Sequence, residues 1–178
     1  SLLVDDIEDG SQLRRGKPVA HAIFGVPYTL NAANYAYFVA LEECHRLGSP
    51  EALSVFVEEL LNLHRGQGQD IVWRDTQKVP TEEEYYSMVL DKTGGLFRLA
   101  VGLMAAFSER DKSEFRELVD QLALYFQIRD DLVNLKSDEY ALSKSYCEDL
   151  TEGKFSYPIL HAIRARPDDT RLLNILKQ

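Results

Sequence analysis

The stretch that decides the fold is residues 113–134, SEFRELVDQLALYFQIRDDLVN. Apolar side chains recur in it at the spacing of one helical face, and they are Phe115, Leu118, Val119, Leu122 and Phe126. The same face then becomes polar, with Gln127, Asp130, Asp131 and Asn134. Such a polar row costs free energy inside a bundle unless something binds it. The stretch therefore predicts a helix to about Lys136, whose polar end either lines a ligand site or turns to solvent.

Start and stop signals divide the rest of the chain into further helices. The predicted helices run from Pro27 to Gly48, from Ser49–Pro50 to about Trp73, from the Thr81–Glu84 capping box past Met104, and from Asp111 to about Lys136, with two last pieces starting at Pro158 and Pro167. No stretch alternates as a strand would, and residues 137–156 are less regular. The predicted fold class is therefore all-α, with long helices joined by short loops.

Composition narrows the function. The 178 residues predict one domain, and a net charge of −9 argues against a general nucleic-acid binder. The two cysteines favour a reducing compartment, which we take to be the cytoplasm. The longest clean apolar run, Leu99–Phe107, is far short of the roughly 20 residues of a membrane span, and no secretory signal is recognisable. Because the chain opens without Met inside an apolar pattern, we expect a piece of a longer protein.

Two charged clusters near the start could bind a metal ion or an anion. Asp5 and Asp9 share a helical face, where two close carboxylates suit Mg²⁺, although an acidic, solvated helix end has the same pattern. The apolar residues 1–4 before them indicate that this end of the helix sits in a core. Arg14–Lys17 follows, and its guanidinium groups match phosphate oxygens or simply pair at the surface.

Smaller features are ambiguous one by one. The paired glycines in Lys92–Gly95 predict a kink or the close approach of a ligand, and the stretch Gly66–Asp70 in the preceding helix does the same. Lys144 and Lys154 flank the acidic segment Glu148–Glu152. Three further residues on helical faces are ordinary core candidates, namely Tyr37, Phe38 and His64.

Taken in order, these motifs resemble the trans-isoprenyl diphosphate synthases. The resemblance rests on Asp5-Asp6-x-x-Asp9, Arg14-Arg15-Gly16, Lys92-Thr93-Gly94, Phe126-Gln127-x-x-Asp130-Asp131 and Lys154. Within that family, His64–Gly68 and Cys147–Phe155 are most similar to the eukaryotic geranylgeranyl diphosphate synthases. The resemblance implies an isoprenoid synthase-type helical bundle around a central cavity, with residues 1–178 as a single domain that is incomplete at both ends.

The resemblance also implies a set of ligands. Three Mg²⁺ ions are expected between the two Asp-rich helices, bound by Asp5, Asp9 and Asp130, with Asp6 and Asp131 in support. The residues expected around the allylic diphosphate or the nascent cation are Arg14, Lys92, Thr93, Gln127, Lys144 and Lys154, of which all but Arg14 are candidate catalytic residues. Arg15 matches a position that binds isopentenyl diphosphate.

The implied activity is that of a prenyltransferase of isoprenoid and lipid biosynthesis, working as a homo-oligomer built from dimers. Ionisation of the allylic diphosphate, farnesyl diphosphate or a shorter primer, is followed by attack of isopentenyl diphosphate, and the product is geranylgeranyl diphosphate. Cavity depth sets the chain length, and the candidate floor residues are Ser1, Tyr37, Phe38 and His64.

Two alternatives stay open at this point, a farnesyl-type synthase and a non-catalytic partner subunit of a synthase. The chain departs from the family pattern at Asn134, where many relatives have Asp, which argues against direct metal ligation there. The family's upstream isopentenyl diphosphate motif and its final helices are expected outside this sequence, and Gly16–Lys17 does not replace that motif.

Overall fold

A computed structural model describes residues 2–109, 113–136 and 147–177, and almost every element in them is a helix. The helices are α1 Leu2–Glu8, α2 Ala20–Phe24, α3 Val26–Arg46, α4 Pro50–Thr76, α5 Glu82–Lys92, α6 Gly94–Ala105, α7 Ser113–Lys136, α8 Glu148–Thr151, α9 Tyr157–Ala165 and α10 Arg171–Leu176. One hairpin interrupts them, made of β1 Leu13–Arg14 and β2 Lys17–Pro18. The predicted all-α class is confirmed, and two-residue strands are too short to leave an alternating pattern.

The helix starts predicted at Ser49 and Thr81 are confirmed, whereas the last helix begins at Arg171 and not at the predicted Pro167. The Ser49 hydroxyl accepts from the Ala52 backbone N–H (3.2 Å) at the start of α4. At the start of α5, the Glu84 N–H donates to the Thr81 hydroxyl (3.1 Å) and the Thr81 N–H donates to the Glu84 carboxylate (2.8 Å). These contacts satisfy donors that the first helical turn leaves unpaired, so the predicted capping box is confirmed.

The helix predicted to run through Met104 is in fact two helices, with a break at Thr93. The paired glycines therefore mark a kink, as one of the two interpretations had it. They also bring backbones together: a Cβ on Gly95 would lie 3.0 Å from the Glu59 carbonyl oxygen of α4. The close approach at Gly95 is thus that of a neighbouring helix.

The described residues divide into two compact units, and the larger continuous one is 40–129. In it, α4 packs against α5 and α6. Its apolar core contains Cys44, Ala52 and Phe56, with Leu41, Leu60, Leu99, Leu103 and Ala106 around them. Beside this core, the buried Arg98 donates to Glu59 (3.0 Å) and Asp120 (2.9 Å), so its charge is compensated inside the unit.

The predicted packing stripe of α7 needs correction. Of its five apolar residues only Val119 is buried, whereas Leu118, Leu122 and Phe126 are 60%, 46% and 51% exposed. The packing face is rotated towards Val119 and the fully buried Ala123, whose methyl group lies against Gly94. Small side chains allow two helices to approach closely, which the spacing of large apolar residues does not reveal.

The second unit comprises residues 1–39 and 130–178. Its buried apolar side chains come mainly from α9 and its flanks, and those in the described residues are Val19, Ala33, Phe155, Ile159, Leu160, Ile163 and Leu176. The prediction that the start of α1 sits in a core is wrong for Leu2 and Leu3, which are 48% and 37% exposed; the buried residue of α1 is Asp6. Whether the two units form a single domain stays a prediction.

None of the helices in the described ranges is long and apolar enough to cross a membrane.

Candidate functional site

The first acidic motif lies at the end of α1, where a hairpin places an arginine against it. The Asp9 N–H donates to the Asp5 carbonyl (2.9 Å), so the helical turn continues to Asp9. From β1, Arg14 donates through Nε to Asp6 Oδ1 (2.8 Å) and through Nη2 to Asp5 Oδ2 (3.1 Å). Arg14 thereby compensates two adjacent carboxylates, of which Asp6 is buried and Asp5 half-buried.

The hairpin separates two neighbouring arginines. Burial alone would lower the pKa of the Arg14 guanidinium, but its contacts with Asp6 and Asp5 raise that pKa above its usual value. Arg15 lies in the turn with φ 55°, followed by Gly16 with φ 74°, and its side chain is exposed. Positive φ at both central residues is typical of a two-residue hairpin turn. The predicted split, with Arg14 and Arg15 serving different ligands, is compatible with these different surroundings.

The second acidic motif is on α7, and two of its side chains bind backbone groups at the start of later helices. Asp131 is 1% exposed, and its Oδ2 accepts from the N–H of Tyr157, the first residue of α9 (2.7 Å). Asn134 Oδ1 accepts from the Asp149 N–H at the start of α8 (3.4 Å). Asp130 is only half-buried. Asp131 and Asn134 therefore fix the ends of the segment that carries Lys154.

An acidic cluster surrounds Glu152, a residue that the sequence analysis named only as the end of an acidic segment. Burial and then the charge of Asp9 raise the pKa of Glu152 to about 8, with Asp149 and Glu148 contributing and Lys154 opposing. The Lys154 ammonium lies 3.7 Å from Asp149 Oδ1. This places Asp9 in the electrostatic neighbourhood of the segment that carries Lys154. The run of acids at 148–152 was the available signal, but composition alone does not say which of them is buried.

The unit formed by residues 40–129 brings three predicted site residues together at the break between α5 and α6. The Lys92 ammonium donates to Asp70 Oδ2 of α4 (2.9 Å). The Thr93 hydroxyl donates to Gln127 Oε1 of α7 (2.6 Å). Asp70 is a residue that sequence reasoning missed; the signal was its position on the Gly66–Asp70 stretch, whose glycines had attracted notice for another reason.

The candidate floor residues differ in exposure. Burial raises the pKa of Tyr37, and the charges of Glu8 and Asp5 raise it further, so this tyrosine lies within electrostatic range of the first acidic motif. Phe38 is 70% exposed, and His64 is exposed with Nδ1 2.7 Å from the Leu60 carbonyl oxygen. The prediction that Phe38 and His64 are ordinary core residues is therefore wrong. Their role in chain length stays a prediction, while Ser1 and Lys144 lie outside the described residues.

Carboxylate oxygens are the donors that Mg²⁺ prefers, and Asp5 and Asp9 on one turn supply them. Within residues 2–109, 113–136 and 147–177, no three Asp, Glu, His or Cys side chains form a group that could hold a metal ion. Mg²⁺ usually takes only one or two carboxylates and completes its shell with substrate phosphates and water. The carboxylates present thus fit Mg²⁺ by donor type, in a site that a phosphate ligand would complete.

The chain matches known proteins over its whole length. The family model described as "Polyprenyl synthetase" matches residues 1–178. Geranylgeranyl pyrophosphate synthase from Dictyostelium discoideum is 58% identical over 178 residues, and the synthases of Claviceps paspali and Metarhizium anisopliae are 58% and 59% identical. This chain covers 58%, 53% and 54% of these proteins, so it spans about half of their length.

A solved structure has the same fold. It is a polyprenyl synthase from Caulobacter crescentus CB15, complexed with calcium and isoprenyl diphosphate. The two chains are 30% identical, and they superpose with a TM-score of 0.86 over 99% of this chain and 56% of that one. The predicted isoprenoid synthase type of helical fold is thereby confirmed.

Proposed function

Because this chain belongs to the polyprenyl synthetase family, we propose that the full-length protein containing it is a geranylgeranyl diphosphate synthase. It condenses isopentenyl diphosphate with an allylic diphosphate, farnesyl diphosphate or a shorter primer. The observation that carries the proposal is the identity of about 58% with proteins named geranylgeranyl pyrophosphate synthase, along the whole chain. Allylic and isopentenyl diphosphates are the substrates of a prenyltransferase.

Members of the family generally use Mg²⁺. We propose three ions in the full-length protein, bound by Asp5, Asp9 and Asp130. When bound, Mg²⁺ acts as a Lewis acid that stabilises negative charge on a diphosphate. Asp6 holds Arg14 beside Asp5, so a guanidinium lies next to the proposed ligands. That arrangement supports diphosphate binding, since a guanidinium donates in the geometry of phosphate oxygens.

The remaining cationic and hydroxyl groups stabilise the charges that form as the reaction proceeds. The allylic C–O bond breaks with its electron pair on the diphosphate, and the ammonium groups of Lys92, Lys144 and Lys154 donate to its oxygens. Thr93 and Gln127, which are hydrogen-bonded to each other, lie next to Lys92 and orient oxygen dipoles towards the allylic cation. The isopentenyl double bond, whose diphosphate Arg15 binds, then forms the new C–C bond, and the released diphosphate takes the proton.

The proposal is tested by substituting the proposed metal ligands in the full-length protein. Asp5→Ala, Asp9→Ala and Asp130→Ala should each lower kcat about tenfold or more, because each removes an oxygen ligand. Asp168→Ala, at an exposed aspartate outside the proposed site, is the control. Turnover is measured with radiolabelled isopentenyl diphosphate, Mg²⁺ and each allylic primer, and circular dichroism checks folding. Losses below tenfold in all three folded variants would contradict the metal assignment.

The same assay separates this function from the two alternatives. A farnesyl-type synthase would stop at the shorter product, and a non-catalytic subunit would show no turnover unless a homologous synthase is added. For chain length, Ser1→Phe should shift the product towards farnesyl diphosphate, and Tyr37→Ala with Phe38→Ala should lengthen it. Chromatography of the dephosphorylated products measures both. An unchanged distribution in both active variants would leave the floor assignment without support.

We further propose a cytoplasmic homo-oligomer built from dimers. Exposed aromatic residues on α3 support association, since Tyr28, Tyr35 and Phe38 are 78%, 71% and 70% exposed. Light scattering after size exclusion of the full-length protein measures the oligomer, and cell fractionation tests the location.

A further inference from the structure

Lys92 is held by a carboxylate that the reaction scheme does not use. Its ammonium donates to Asp70 Oδ2 at 2.9 Å, and the two side chains are only 16% and 9% exposed. A lysine side chain is flexible and carries three N–H donors. One donor bound to Asp70 fixes the direction of the ammonium and leaves the other two for a ligand.

The backbone of Lys92 is fixed by the same helix. A Cβ on Gly66 would lie 2.3 Å from the Lys92 backbone nitrogen, so α4 contacts the end of α5 directly at this residue. Gly66 and Asp70 are separated by one helical turn, and therefore lie on the same face of α4. One face of α4 thus determines both where Lys92 lies and where its ammonium points.

A buried amide lies in the same helical turn of α4. Gln67 is 7% exposed, and neither its Nε2 nor its Oε1 has a hydrogen-bond partner among the described residues. A buried polar group without a partner costs about 1–3 kcal/mol, which a helix-packing face would avoid with an apolar residue. The face that holds Lys92 is therefore more polar than packing requires, as expected beside a ligand site.

Stability alone does not account for the ion pair. Desolvating two charges offsets most of their attraction, so a buried pair often stabilises a protein no more than apolar residues of similar volume. Its specific effect is on the direction of the ammonium.

We propose that Asp70 is a positioning residue that orients the Lys92 ammonium towards the allylic diphosphate. This inference rests on the proposed function, because it takes Lys92 as a diphosphate ligand. Asp70 contacts Lys92 and acts on the substrate only through it. Negative charge develops on the diphosphate as the C–O bond breaks, so the transition state depends more on the direction of the ammonium than the bound substrate does. Loss of the Asp70 charge should therefore lower kcat more than it raises KM.

A double-mutant cycle in the full-length protein tests the inference. Asp70→Asn should lower kcat about tenfold and weaken the binding of inorganic diphosphate in Mg²⁺, measured by calorimetry. Asp70→Glu, which keeps the carboxylate, should recover part of the loss. Asp75→Asn is the matched control, because Asp75 lies on the same helix and pairs with Arg74 at 3.0 Å, but is 62% exposed. It should change neither quantity by more than about twofold.

The decisive comparison is Asp70→Asn in a Lys92→Gln background. If Asp70 acts through Lys92, the Asp70→Asn substitution should lower the kcat of the Lys92→Gln enzyme by less than about twofold. An additive loss would overturn the inference while leaving the proposed function intact, because Asp70 would then act independently of Lys92. A Lys92→Gln enzyme with unimpaired kcat would instead contradict the role proposed for Lys92, and the inference would fail with it.

Discussion

The two acidic motifs keep their second carboxylates out of water in different ways. Asp6, 3% exposed, is bound by the Arg14 side chain, whereas Asp131, 1% exposed, is bound by the backbone N–H of Tyr157. The first contact pairs two charges, and the second satisfies a donor at the start of a helix. Asp6 and Asp131, which look equivalent in the sequence, therefore have different roles: Asp6 holds the Arg14 side chain, and Asp131 holds the backbone at Tyr157.

The contrast extends to the neighbouring residues. Arg14 contacts Asp6 through Nε and Nη2 but Asp5 through Nη2 alone, so losing the contact with Asp5 would still leave the guanidinium bound to Asp6. In the second motif, Asn134 repeats the task of Asp131 at the start of α8. The buried carboxylate of the first motif is thus bound by a side chain, whereas Asp131 and Asn134 of the second motif bind backbone groups.

The largest expected effect concerns Glu152, which lies near Asp9 of the first motif. Its pKa is about 8 in the folded protein and close to its ordinary 4.5 when unfolded, because burial and then Asp9 disfavour the charged form. The folded state therefore binds one more proton between these values. Its free energy of unfolding should fall as pH rises through this window, by up to about 1.4 kcal/mol per pH unit.

Glu152→Gln removes the carboxyl group that binds this extra proton in the folded state. The variant should show a flatter pH dependence than the parent protein and a higher stability above pH 8, measured by urea unfolding in the presence of EDTA. Glu83→Gln, at an exposed glutamate, is the control and should follow the parent curve. Parallel curves for Glu152→Gln and the parent would show that Glu152 is not a buried acid.

The next effect tests the charge pairing of the first motif. Asp6→Ala should lower the free energy of unfolding by about 3 kcal/mol, because Arg14 keeps only its contact with Asp5 in a poorly solvated position. Glu42→Ala breaks a pair of similar length, 2.9 Å to Arg46, between side chains about 60% exposed, and should cost less than about 0.5 kcal/mol. Equal losses in the two variants would mean that burial does not strengthen the Arg14 contact.

A smaller effect tests the backbone contact of the second motif. Asp131→Ala should cost about 2 kcal/mol, since it leaves the Tyr157 N–H without its acceptor. Asp131→Asn keeps an acceptor oxygen and should cost less, whereas an essential charge would make the two variants equally unstable. Hydrogen exchange of the Tyr157 amide reports the contact directly, and it should accelerate in the alanine variant. Unchanged protection there would contradict the anchoring role.

The sequence was sufficient for what depends on neighbours along the chain. Caps at Ser49 and Thr81 and the end of α7 at Lys136 follow from local hydrogen bonding and periodicity, and the structure has them as predicted. The predicted start at Asp111 lies outside the described residues. The motifs also led to the family, because their order and spacing are specific. By contrast, the paired glycines left two explanations open, a kink or the approach of a ligand, because the close approach of α4 to Gly95 is a tertiary contact.

The features that the sequence did not predict depend on contacts between segments that are distant along the chain. The large apolar residues of α7 predicted its packing face, but the small Ala123 lies against Gly94 and leaves Leu118 exposed. Asp70 could not be found from spacing because its partner Lys92 is 22 residues away. Similarly, nothing local distinguishes Glu152 from its acidic neighbours. Residues whose importance comes from a tertiary partner are those that periodicity does not identify.

The smallest expected effect distinguishes the role of Arg15 in the hairpin turn from its proposed role in substrate binding. Arg15 has φ 55°, which costs a residue with a bulky side chain about 1 kcal/mol, whereas Asn tolerates this conformation and suits a turn that continues into Gly16. Arg15→Asn should therefore stabilise the protein by about 0.5 kcal/mol and, if Arg15 binds isopentenyl diphosphate, raise the KM for that substrate alone. Lys17→Gln, at an exposed strand position, is the control and should leave stability unchanged. A more stable variant with an unchanged KM would leave Arg15 as a turn residue only. A destabilised one would mean that the Arg15 side chain contributes more to folding than its backbone strain costs.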